Sequence, residues 1–135
     1  MAHTKAERRL GGWLRFTGAL YALGGAGFLA RPQDAVDALG RIGEPLDAEP
    51  PGLYTSLSTA YMATITTLAF AAASADPEDR DVLIPPLLVA KAVSSSALLL
   101  RYFKTRRLGY AAGAALDALL LGVTAGLHGA SRRDH

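Results

Sequence analysis

Four apolar stretches, each about as long as a hydrocarbon layer is thick, fix most of what this 135-residue chain can become. They run from about Leu10 to Ala30, Leu53 to Ser74, Val82 to Leu100 and Leu108 to Leu127. Each holds ~18–22 residues, the length a helix needs to cross a ~30 Å hydrocarbon core. Lipid admits only helices and closed barrels, because backbone polar groups find no water there. None of the stretches alternates apolar and polar residues as barrel strands do. The expected fold is all-α: a four-helix transmembrane bundle, one domain over residues 1–135, with disordered polar tails at 1–7 and 129–135. A soluble four-helix bundle would need long polar faces at helical spacing. The fourth stretch speaks against it, since Asp117 is its sole charged side chain between Leu108 and Leu127.

The joints between the stretches carry the polar residues. Ala30-Arg31-Pro32 closes the first helix, because Pro cannot continue it. Over Gln33–Gly40, Ala35, Val36 and Leu39 gather on one side and Asp34 and Asp37 on the other. That pattern predicts a short interfacial helix between the first and second spans. Glu44 to Gly52 is Pro-rich and reads as a turn. Ala75–Asp81 reads as a tight acidic loop, with Pro85-Pro86 one turn into the third helix. Arg101–Arg107 reads as a basic loop. The basic start at Lys5, Arg8 and Arg9 resembles a signal peptide, but Phe28-Leu29-Ala30 offers no small-x-small cleavage site, so the first helix is expected to be retained.

Lys91 and Asp117 stand out inside this frame. Counted from the centre of the basic loop, about Lys104–Thr105, each lies ~13 residues away, or ~20 Å at ~1.5 Å per residue. In an antiparallel hairpin an ammonium and a carboxylate then reach the same depth. Charges at that depth usually face a bundle interior and pair. Projecting the second stretch back from the acidic loop places Thr66 and Thr67 at the level of Lys91, and Tyr21 lies near the middle of the first stretch. Tyr21, Thr66, Thr67, Lys91 and Asp117 therefore form the candidate intramembrane binding site. One reading makes it a site for an ion, a proton or a small polar solute. The other makes Lys91–Asp117 a static pair that fixes which helix faces meet. Ser94, Ser95 and Ser96 form a polar turn beside Lys91, although Ser and Thr in a span often bond only their own backbone.

Small residues are frequent, with 14 glycines in the chain, and they let helix backbones approach closely in lipid. Gly109, Gly113 and Asp117 share one face, Gly122 and Gly126 repeat the spacing, and Gly24, Gly25 and Gly27 thin the first helix. Trp13, Tyr54, Tyr102 and Tyr110 sit near span ends, as an aromatic belt would place them.

Several chemistries drop out. The net charge of +2 is spread in clusters at segment ends, which argues against a nucleic-acid partner. With no Cys, disulfides, thiol catalysis and thiolate metal sites are excluded. His3, His128 and His135 lie near the termini, where they suit neither haem ligation within a span nor a metal cluster. No Ser-His-Asp arrangement is present. The expectation is no catalytic residue, no metal and no cofactor.

Orientation follows from Lys and Arg in short loops. With the N-terminus inside, that side holds Lys5, Arg8, Arg9, Arg80, Arg132 and Arg133, and the other holds Arg31, Arg41, Arg101, Lys104, Arg106 and Arg107. The count is balanced. It fits a dual-topology homodimer, or a chain in which the first helix decides. The second alternative puts both termini in the cytoplasm of a bacterial-type cytoplasmic membrane.

The run from Arg9-Leu10-Gly11-Gly12 to Ala30-Arg31-Pro32, a Gly-rich helix closed by Arg-Pro, resembles the opening of DoxX-like small four-helix membrane proteins. The resemblance covers the first helix and the layout, and it implies an accessory membrane protein. The glutamate expected in the first helix of small multidrug exporters is missing, as are the Asn and Phe-rich motifs of fluoride channels. The function expected is a small non-enzymatic membrane component whose partners are the lipid bilayer and another membrane protein or a second copy of itself. The alternative is a small ion- or proton-coupled transporter or channel that works through Lys91 and Asp117.

Overall fold

The computed structural model describes residues 4–41 and 53–133. The described chain is all-helical, with no strand. Five helices follow in order: α1 (Lys5–Ala30), α2 (Pro32–Gly40), α3 (Leu53–Ser74), α4 (Pro77–Thr105) and α5 (Leu108–Arg133). The Pro-rich Glu44–Gly52 segment, the ends of both tails and the side chains of Ala35, Val36 and Leu39 in α2 lie outside the described residues.

Among the described residues, three helices are long and apolar enough to cross a membrane: Ser56–Ser74 of α3, Pro77–Thr105 and Leu108–Arg133. α1 was expected as a fourth. It is long enough at 26 residues, but Arg15 and its many glycines dilute its apolar character. The apolar helices also carry apolar residues outward. Val82, Val89, Val93 and Leu100 of α4 and Leu116 and Leu119 of α5 are all exposed on the isolated chain. Such surface is unfavourable in water and suits a membrane location.

Several boundaries differ from the sequence reading, each for a local reason. α1 starts at Lys5, inside the expected disordered tail, because Thr4 and Glu7 form a capping box. The Thr4 hydroxyl accepts from the Glu7 amide at 3.2 Å, and the Glu7 carboxylate accepts from the Thr4 amide at 2.6 Å. α5 likewise runs on to Arg133, where Arg132 pairs with Asp81 at 3.4 Å. The acidic loop shrinks to Ala75–Asp76, since Pro77 opens α4 with Glu78 and Asp79 in its first turn. Pro85 and Pro86 therefore fall inside α4, on its exposed side. The basic loop shrinks to Arg106–Arg107. Arg106 takes the left-handed conformation at φ 59°, which lets a single residue turn the chain.

The long helices form a closed ring: α1 packs on α3, α3 on α4, α4 on α5, and α5 returns to α1. The α1–α3 and α4–α5 seams are the more extensive. The apolar core joins Leu10 and Leu14 of α1, Ile65, Ala72 and Ala73 of α3, and Ile84 and Leu87 of α4. It fills the half of the bundle nearest the Ala75–Asp76 corner. The polar residues lie beyond it, toward mid-helix.

Candidate functional site

Lys91 occupies the middle of α4, and Asp117 lies on the α5 face that α4 covers. That face is built by Gly109, which is buried, and Gly113, where an added Cβ would stand 3.1 Å from a Leu98 methyl. One turn from Lys91, Ser95 donates its hydroxyl to the Ala114 carbonyl at 2.9 Å. The glycines bring the two backbones close, and the serine fixes their register.

At this seam the Lys91 ammonium donates to Asp117 Oδ1 at 3.2 Å. Lys91 is 2% exposed and Asp117 5%. Tyr21 of α1 donates its hydroxyl to the same carboxylate oxygen at 2.5 Å. Its ring lies under the ammonium, with Nζ 3.2 Å from the centroid. Tyr61 of α3 adds a second face 5.5 Å away and donates its own hydroxyl to the Ala90 carbonyl at 3.2 Å. All four long helices thus contribute. A carboxylate balances the cation, and two aromatic faces replace part of its lost hydration.

Three of the five expected site residues, Tyr21, Lys91 and Asp117, come together. Thr66 and Thr67 do not join them. The Thr67 hydroxyl donates back to the Ala63 carbonyl at 2.9 Å on an exposed face. The Thr66 hydroxyl is buried and has no hydrogen-bond partner among the described residues. The cause is the corner. With Ala75–Asp76 as the break, the level of Lys91 in α3 falls at Tyr61, about a turn and a half before Thr66 and Thr67. A tighter loop in the same count would have found Tyr61.

A second feature escaped the sequence reading. Trp13 was assigned to an aromatic belt, yet its indole N–H donates to the Thr124 hydroxyl of α5 at 2.9 Å. The Thr124 hydroxyl in turn donates to the Leu120 carbonyl at 2.7 Å. Trp13, Thr17 and Tyr21 recur every four residues on α1, and Trp13 and Tyr21 bond Thr124 and Asp117 on antiparallel α5. That four-residue spacing of polar and aromatic groups was visible in the chain.

Nothing matches this chain among protein-family models, curated proteins or solved structures. The DoxX-like resemblance therefore gains no support.

Proposed function

We propose that this chain is a small non-enzymatic integral membrane component, in which the Lys91–Asp117–Tyr21 cluster holds the helices in register. In this reading α1, α3, α4 and α5 all span the bilayer and α2 lies at its surface. Both termini face the cytoplasm of a bacterial-type membrane, and the partners are lipid and another membrane protein or a second copy of the chain. The observation that carries the reading is the closure of the cluster. One carboxylate oxygen takes both the ammonium and the phenol, and the ammonium rests on a tyrosine face. Groups this fully engaged with one another suit a joint better than a station for a passing solute.

The test uses purified protein in liposomes loaded with a pH-sensitive dye, with a potassium gradient driving proton movement. Proton flux no greater than in empty liposomes is expected. Flux present in the parent chain and abolished by Asp117→Asn would replace the joint with the transporter reading. The Lys91→Met/Asp117→Leu double variant separates the two readings a second way, because a packed apolar pair can replace an ion pair that only holds structure. Its full activity in cells lacking the parent chain supports the joint, and complete loss in a well-folded double variant rejects it.

A further inference from the structure

The bundle end that gathers the start of α1, the Ala75–Asp76 corner and the last turns of α5 forms a half-open cavity of about 800 Å³. In a spanning bundle this is the headgroup layer, since the apolar run of α4 begins at Val82 and that of α5 stops at Leu127. The wall carries both signs. Glu7, Asp76, Glu78 and Asp81 bring carboxylates, and Arg80 and Arg132 bring guanidiniums.

The positive side is built in, not merely nearby. Arg80 is 5% exposed, and its Nε and Nη2 donate to the Ala72 and Ala75 carbonyls at 3.0 and 2.8 Å. These partners are neutral, so they orient the guanidinium without cancelling its charge. Among the described residues no carboxylate pairs with it. Beside it, His128 holds Asp81 at 3.4 Å through Nε2, while its buried Nδ1 has no hydrogen-bond partner among the described residues. One turn before Arg80 on the same helix start, Asp76 accepts the Arg80 amide on its carbonyl at 2.9 Å and makes no capping bond with its side chain. The cavity thus offers an anchored cation, a spare imidazole nitrogen and, at Asp76, a carboxylate that caps no helix amide.

We infer that this cavity binds the headgroup of a zwitterionic aminophospholipid, with the phosphate toward Arg80 and the primary ammonium toward Asp76 and Glu78. A purely anionic headgroup would meet four carboxylates, and a bare cation would meet the buried guanidinium. A choline headgroup carries no N–H to donate. The volume lies within the range of small-molecule sites. The inference rests on the membrane reading above, because the depth argument does.

The experiment titrates the full chain in detergent micelles with dihexanoyl phosphatidylethanolamine, dihexanoyl phosphatidylcholine, dihexanoyl phosphatidylglycerol and free O-phosphoethanolamine. Fluorescence of the single tryptophan, Trp13, reports binding. Charge-assisted hydrogen bonds to a primary ammonium are expected to favour the ethanolamine lipid at least about tenfold over the other two lipids. The Asp76→Asn/Glu78→Gln variant, altered at exposed positions, is expected to lose that preference while remaining folded. Equal binding of the ethanolamine and choline lipids overturns the inference, as does tighter binding of the glycerol lipid. Free O-phosphoethanolamine binding as tightly as the lipid overturns the lipid assignment. A chain that fractionates without detergent fails the membrane reading before any lipid is added, whereas one that needs detergent but ignores headgroup chemistry fails only this inference.

Discussion

A lysine 2% exposed in the middle of a helix places a full charge where water cannot reach it, so its neighbours must answer for that charge. Asp117 supplies the opposite sign, Tyr21 a ring face and a hydroxyl, and Tyr61 a second ring. Removing one ion alone strands the other. Lys91→Met is expected to lower unfolding stability in micelles by about 3–5 kcal/mol, and Lys91→Met/Asp117→Leu to recover most of that loss. If denaturant titration finds the double variant as weak as the single one, the pair is more than a joint. Tyr21→Phe keeps the ring under the ammonium and deletes one hydrogen bond. Because that bond goes to a carboxylate, its loss should cost about 1.5–3 kcal/mol by the same titration, less than the lysine variant. Arg80 acts at the other end of the cluster's helix, bonding carbonyls that the end of α3 leaves unpaired. Arg80→Met should speed amide hydrogen exchange in the last turn of α3 and leave mid-α5 unchanged.

At the scale of elements, close approach divides the glycines into two groups. A Cβ on Gly25 would stand 3.2 Å from Met62 Cβ, an atom that moves only with its backbone, whereas one on Gly122 would meet nothing within 4 Å. Gly25→Ala should therefore destabilise the α1–α3 seam by about 1–3 kcal/mol through overpacking. Gly122→Ala should be neutral, or stabilising by up to about 1 kcal/mol through helix propensity. Thermal unfolding of both variants in the same detergent checks the contrast, and equal effects would contradict it. The helices themselves were legible in the chain because a long apolar run leaves the backbone no other choice in lipid. Their ends were less so. Short-range devices set them, namely the Thr4–Glu7 box, the Pro77 start and the left-handed Arg106, and each moved a boundary by several residues. The α4–α5 register survived that error. The midpoints of Lys91–Asp117 and Ser95–Ala114 both fall at about residues 104–105, where the basic loop had been centred. The α3–α4 register did not survive, because the corner at Ala75–Asp76 lies nearer α3 than the centre of the expected loop. Hence Tyr61 stands where Thr66 and Thr67 were expected. The Trp13–Thr124 contact was hidden for another reason: α1 and α5 are distant in sequence, and no loop length relates them.

For the whole molecule, the decisive property is where its apolar surface goes. With Val82, Val89, Val93, Leu100, Leu116 and Leu119 all facing outward, the chain should sediment with membranes, resist alkaline carbonate and enter solution only with detergent. Recovery in the carbonate supernatant would remove the basis of the proposed function. The corner at Arg106–Arg107 has one more effect at this scale. Because it is so short, α5 has little slack with which to readjust against α4, and Lys91 and Asp117 are 26 positions apart around it. One residue added between Leu108 and Asp117 would swing the carboxylate by about 100° and aim it at lipid. The same addition beyond Thr124 would leave the cluster untouched. The chain between the paired charges is thus a measured length, open to exchange of side chains but closed to insertion.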